Sequence, residues 1–210
     1  MPQVLKEAVR ERILAAALEE LAAHGYEGAS MARIAERAGL GTATSYRYFA
    51  GKAELFDAVV TPDLARRFEA LLDDRIAALS RDVLGGDPRG DDAGEAMLRF
   101  WIDNRLAVVV LLDRAQGTAY AHYAERFVSH LVDGTVAQIR AAHPGVRVRA
   151  PARFVLTRIF ENTRRLLAAV LLEHAGEAAL REAVEAFWSY QVAGLKGFTE
   201  HVLEGRRREG

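Results

Sequence analysis

Two short helical patterns, parted by one glycine, limit the folds open to this chain more than any other feature. Residues 30–38 and 42–49 each supply only about two turns, and a helix that short does not persist alone in water. Each must be clamped by neighbours. Ser30 is a good N-cap for the first, whose inner face is Ile34, Ala35 and Ala38. Gly39 can take the left-handed conformation that ends it. In the second, residues three or four apart share a face, so Ser45 and Phe49 form the inner ridge. The outward ridge is Ala43 and Arg47, flanked by Thr42 with Tyr46 and by Thr44 with Tyr48. An exposed face of hydroxyls, one guanidinium and one small residue suits a DNA duplex. Hydroxyls bond phosphates, arginine reaches guanine edges, and a small residue lets the helix lie close to the major-groove floor. Two helices joined by a tight glycine turn make a helix-turn-helix.

The rest of the chain reads as helix almost throughout. Ile13, Leu14, Ala17, Leu18 and Leu21 mark one face of a helix from about Leu5 to His24, stopped by Gly25. A helix begins near Lys52 and extends toward Asp82, kinked or interrupted at Pro62. The stretch 85–94 (GGDPRGDDAG) reads as a loop. Further helices are predicted over 93–115, 119–142, 151–174 and 177–204, with a connector at 143–151. The expected fold is all-α: an N-terminal three-helix helix-turn-helix bundle over 1–51, then a larger helical bundle over 52–210.

The segment Gly25 to Val59 resembles the DNA-binding region of the TetR family of one-component transcriptional regulators. The resemblance rests on Gly25-Tyr26, Ser30, Ile34-Ala35, Ala38-Gly39, Thr44, Tyr46-Arg47-Tyr48-Phe49, Lys52, Glu54 and Leu55. Three positions depart from it. Gly41 stands where a capping serine is usual, so Thr42 becomes the candidate cap. Ser45 replaces a large aliphatic residue, and its hydroxyl can bond back to a carbonyl one turn earlier. Ala50-Gly51 replaces Pro-Ser. The DNA-facing set is expected to be Ser30, Arg33, Thr42, Ala43, Thr44, Tyr46, Arg47, Tyr48 and Lys52. Residues 1–60 are slightly acidic as a whole. Arg33, Arg37, Arg47 and Lys52 nevertheless outweigh Glu36 locally, at the range a phosphate backbone senses.

For the remainder, the resemblance implies effector binding and dimerisation. The stripe Met97, Trp101, Asn104, Val108, Leu111 is apolar except for Asn104, and Val155, Ile159, Asn162, Leu166, Val170 except for Asn162. A buried carboxamide needs partners, which a ligand pocket or a structural bond between helices could equally supply. Trp101, Asn104, Tyr123, Phe127 and Asn162 are the candidate ligand residues; Tyr123 and Phe127 also fit plain core. The last helix carries a large apolar stripe, interrupted by Gln191, and a small one with Tyr190, Gly194 and Gly197. Glycine inside a helix costs about 1 kcal/mol, so close packing is expected. Either a neighbouring helix of the same chain or a symmetry mate could approach there. A four-helix dimer seam, which the resemblance also implies, would include Phe160, Leu167, Leu171, Tyr190, Gly194 and Gly197.

Composition narrows the alternatives. The chain has no cysteine, six histidines without metal-ligand clustering and a net charge of -1. No nucleophile–base pair, phosphate-cradling loop or carboxylate pair points to catalysis, and neither a metal nor a cofactor is implied. The charged N-terminus is no signal peptide, and the longest apolar run, Leu106 to Leu112, is too short to span a bilayer. The expectation is a cytoplasmic homodimer that binds a near-palindromic DNA operator and is released by a small apolar molecule. The ligand would move the helix that starts at Lys52. A helical enzyme or carrier using the helix-turn-helix as an interaction platform is the rival reading.

Overall fold

Every regular element among the described residues is helical. The computed structural model describes residues 3–83 and 92–207; most of the loop expected at 85–94 lies outside them. Helix α1, Gln3–Gly28, is broken at Gly25 (φ 71°, ψ 168°), where the sequence predicts a stop. Helices α2 (Met31–Arg37) and α3 (Thr42–Tyr46) form the helix-turn-helix, followed by α4 (Lys52–Val59). Pro62 interrupts the next pattern outright: α5 is Pro62–Val83, and Thr61 accepts the Leu64 N–H on its Oγ1 at 3.2 Å. Proline at the first helical position loses no intrahelical bond.

The pattern over 93–115 is not one helix. Helix α6 is Asp92–Asp103, α7 is Arg105–Val109, and a π-helical turn covers Val110–Arg114. The break is Asn104 (φ -122°, ψ 23°), so Trp101 and Asn104 do not share a helical stripe. Helices α8 (Tyr123–Ala142), α9 (Ala150–Glu173) and α10 (Glu177–Arg207) complete the chain.

The chain forms two compact units. The first is Met1–Ala65 with Asn104–Ala124; the second is Arg66–Asp103 with Glu125–Gly210. The expected boundary after residue 51 falls inside the first unit, because α4 packs on α1. Residues 104–124 join this unit for the same reason: α7 and the π-helical turn also pack on α1. Its core is Ile13, Ala17 and Leu21 of α1, Ile34 of α2, Leu55 and Phe56 of α4, and Val108, Leu111 and Leu112. The second unit is built around Phe68, which lies 5.6 Å from Phe100 and 5.7 Å from Phe127 between ring centroids.

Candidate nucleic-acid interface

The helix-turn-helix is held by local chemistry that the sequence partly displays. Ser30 caps α2, accepting the Arg33 backbone N–H on Oγ at 3.3 Å. The helix ends in a Schellman pair: Gly39 (φ 65°) donates to the Glu36 carbonyl and Leu40 to the Ala35 carbonyl, both at 2.9 Å. Helix α3 stops at Tyr46, three residues before the expected end. Arg47 and Tyr48 turn on hydrogen bonds to Thr44 and Ser45 carbonyls, which tucks Phe49 into the core at 2% exposure. The N-cap of α3 is Gly41, with no side-chain cap bond. The expected cap, Thr42, lies inside the helix instead.

The outward face of α3 is the one the spacing predicts. Thr42, Ala43, Tyr46 and Arg47 are exposed, and Thr44 and Tyr48 half-buried. Beneath them Ser45 is fully buried, and its hydroxyl has no hydrogen-bond partner among the described residues, so the bond it could make to a carbonyl one turn earlier is not made.

Two residues expected to meet phosphates are spent inside the unit. Lys52 donates from Nζ to the carbonyls of Tyr26 (2.6 Å), Ala29 (3.0 Å) and Glu27 (3.4 Å), and sits 4.4 Å from the Tyr26 ring centroid. It thereby caps the C-terminal end of α1, where an ammonium complements the unpaired carbonyls. Arg33 donates from Nε to Glu20 and from Nη2 to the Gly28 carbonyl. Arg37 is drawn in as well, at 3.2 Å from Glu19 and 3.5 Å from Glu20. Of the four cations expected to outweigh Glu36, Arg33 and Arg37 are thus paired with carboxylates. Glu20, 1% exposed, organises this network and was missed. Its signal was legible: seven residues after Ile13, it lies on the buried face of α1, where a carboxylate requires partners.

The candidate ligand residues divide between the two units. Trp101 is buried against Trp188, at 5.8 Å between centroids, and Phe127 lies in the Phe68 cluster. Both belong to the second unit; Asn104 and Tyr123 belong to the first. Asn162 is exposed on α9, which removes the premise of a buried carboxamide there. The seam residues sort differently too. Phe160, Leu167 and Leu171 are buried within the chain's own core, because α9 turns this face to α10. Exposed instead are Phe154 (60%), Val155 (48%) and Leu166 (45%) of α9, with Tyr190 (71%) of α10. Gly194 and Gly197 are exposed, and a methyl group added to either meets nothing within 4 Å. No helix among the described residues explains them. Gln191 donates to Thr163 across α9 and α10, which accounts for the polar interruption of the large stripe.

Residues 13–59, most of this first unit's helical scaffold, match the family described as bacterial regulatory proteins, tetR family. The chain is similar to the tetR family over this stretch. It is similar to the HTH-type transcriptional repressor AcnR of Corynebacterium diphtheriae, 31% identical over 103 residues that cover 49% of this chain and 50% of that protein. The AcnR of Corynebacterium glutamicum is 33% identical over 82 residues, 39% of this chain and 44% of that protein. The chain thus spans about half the length of the curated relatives it matches. A solved TetR family transcriptional regulator from Chloroflexus aurantiacus shares the fold, with a TM-score of 0.55 at 20% identity, over 95% of this chain and 93% of that one. Among the described residues, no helix is long and apolar enough to cross a membrane, and no group of three or more His, Asp or Glu could hold a metal ion.

Proposed function

We propose that this chain is a ligand-responsive transcriptional repressor of the tetR family that acts in the cytoplasm as a homodimer on a near-palindromic operator. The observation that carries it is the outward face of α3, where Thr42, Ala43, Tyr46 and Arg47 are exposed on a helix-turn-helix. Arg47 reads a base edge, the hydroxyls of Thr42, Thr44, Tyr46 and Tyr48 bond phosphates, and Ala43 allows close approach. Ser30, Arg33 and Lys52 shape the unit that presents this face. In function the cut is the expected one, 1–51 for DNA and 52–210 for effector and partner. The seam is the exposed face of α9 and α10, with Phe154, Val155, Leu166, Tyr190, Gly194 and Gly197; it supplies the two-fold axis that a palindrome requires.

The effector is a small, largely apolar molecule held in the second unit around Trp101 and Trp188. It releases DNA by binding one of two conformations more tightly than the other. Arg47→Ala is the test. Operator affinity should fall by about 1–3 kcal/mol, with relaxed preference at one base pair. Equal binding of wild type and variant to duplexes selected by the wild-type protein would reject α3 as the reading element.

A further inference from the structure

Helix α1 buries one carboxylate, and that carboxylate holds two arginines of α2. Glu20 is 1% exposed. Its Oε1 accepts from Arg33 Nε, its Oε2 lies 3.5 Å from Arg37 Nη2, and the His24 Nε2 is 3.7 Å from the same oxygen. Glu19 takes a second Arg37 nitrogen at 3.2 Å. Packing does not require a charge here. Ile13, Ala17 and Leu21 of α1 and Ile34 and Ala35 of α2 are buried in the same unit, and Arg12 ties the end of α2 to α1 through the Ala38 carbonyl. Taking a carboxylate out of water is expensive, and apolar side chains in place of such a pair are often as stable. What Glu20 supplies that an apolar residue would not is a fixed anion beside both arginines. Those arginines are not sunk in the core: their side chains are 48% and 40% exposed. In a helix-turn-helix the first helix crosses the DNA backbone, so Arg33 and Arg37 stand on the helix that passes the phosphates.

We propose that Glu20 is a specificity-determining residue: it competes with DNA phosphates for Arg33 and Arg37 and so suppresses binding to arbitrary sequence. The proposal rests on the reading of the helix-turn-helix as a DNA-binding unit. A guanidinium that leaves Glu20 for a phosphate weakens the pairing of a buried carboxylate, and an uncompensated buried charge is strongly disfavoured. Sequence-independent binding depends almost wholly on phosphate contacts, so withholding two cations weakens it in full. Operator binding also draws on base contacts from α3. There the docking of α3 fixes the register of α2, and a freed arginine gains only if a phosphate stands within its reach. On arbitrary sequence the protein settles in whichever register satisfies that arginine. Neutralising Glu20 therefore favours the non-specific complexes more than the operator complex.

The test is Glu20→Gln in the full chain, which keeps the shape of the side chain and one carbonyl acceptor but removes the charge. Fluorescence anisotropy across a salt series follows binding to two probes: a duplex selected from a random pool by the wild-type protein, and a scrambled duplex of equal length and composition. On the scrambled duplex the fall of log affinity with log salt should steepen by about 0.9 for each arginine released, and binding at about 0.1 M salt should tighten roughly fivefold to tenfold. The selected duplex should gain less, so that the ratio between the two falls by about threefold or more. Adding Arg33→Gln and Arg37→Gln to Glu20→Gln should abolish the steepening, which a general effect of net charge would not do. Arg37→Gln alone, a change at a half-exposed side chain, should leave the scrambled-duplex slope as it is in wild type, and this arm stands even if Glu20→Gln does not fold. An unchanged slope in folded Glu20→Gln, a steepening that survives loss of both arginines, or a slope flattened by about 0.9 in Arg37→Gln would each overturn the proposal. If Arg47→Ala relaxes base preference while Glu20→Gln changes nothing, the role of Glu20 alone is rejected. If wild type shows no salt-dependent binding to either duplex, the DNA-binding reading falls and this proposal with it.

Discussion

Replacing both Gly194 and Gly197 by alanine should move folding and association in opposite directions. Both glycines lie in the interior of α10. An interior glycine costs about 0.8–1.0 kcal/mol relative to alanine, and the added methyl groups meet nothing within 4 Å. The isolated chain should therefore gain about 2 kcal/mol, which for a protein of this size raises Tm by roughly 4–8 °C. In the proposed dimer each position occurs at a close helix crossing and is repeated by the two-fold axis. Overpacking costs about 1–3 kcal/mol per site, so even the smallest cost, at two positions in each of two chains, adds to about 4 kcal/mol and weakens dimerisation by roughly 1,000-fold. Sedimentation over a dilution series gives the dissociation constant, and circular dichroism at concentrations below it gives the Tm of the separate chain. A variant that melts higher yet associates as tightly as wild type would place the seam elsewhere. One that melts lower would show that the space around α10 is already filled.

Three further outcomes follow from individual side chains. Lys52→Met should lower the stability of the first unit by about 2 kcal/mol, because charge-assisted bonds to the α1 carbonyls are lost; an unchanged calorimetric Tm with weaker, less salt-dependent DNA binding would restore the phosphate role. Ser45→Ala should raise stability by about 1 kcal/mol in urea titration, since it deletes a buried hydroxyl that has no partner among the described residues; a loss would reveal a bonded hydroxyl. Glu95 accepts from both Arg181 terminal nitrogens, at 2.8 and 3.1 Å, and this bond, aided by the charges of Arg181 and Arg99, holds its carboxyl below the usual 4.5. A lowered carboxylate contributes stability above its ordinary value and loses it as pH falls through the folded value. The advantage of wild type over Glu95→Gln should therefore be full at neutral pH and shrink below about pH 4.5; a gap that stays constant into acid would remove the pair from the stability balance.

The helix-turn-helix was legible because its signals are local. The Ser30 cap, the Gly25 and Gly39 stops and the outward ridge of α3 each depend on residues within one or two turns. What the sequence did not yield depends on distant partners. Nothing near Lys52 announces that three carbonyls of residues 26, 27 and 29 will surround it, and Arg33 reads as a free cation until Glu20 is placed beside it. Asn104 failed for another reason. A polar residue in an apolar stripe fits a buried helix as well as a break in one, and periodicity alone cannot tell them apart. On α9, two adjacent apolar faces were both visible, but which faces α10 and which faces outward is decided by packing. The roles of Asn162 and of Phe160, Leu167 and Leu171 were consequently exchanged.

The division of the chain bears on how an effector signal would reach the DNA-binding face. The units are joined at residues 65/66, 103/104 and 124/125. The first junction lies within α5 and the third within the first turn of α8, whereas the second coincides with the break at Asn104. The chain thus crosses between the units twice within a helix and once at a break. Within the first unit, the segment that begins at this break packs on α1 through α7 and the π-helical turn, and π-helical turns are common at functional sites. Helix α1 in turn holds α2 through Glu20 and Arg33, and the Lys52 end of α4 through its terminal carbonyls. The lever expected in the helix after Lys52, kinked or interrupted at Pro62, is cut there, and α1 is the element on which both the mid-chain segment and the helix-turn-helix bear. Coupling of effector to operator then depends on whether α1 has two stable placements between which an effector can choose.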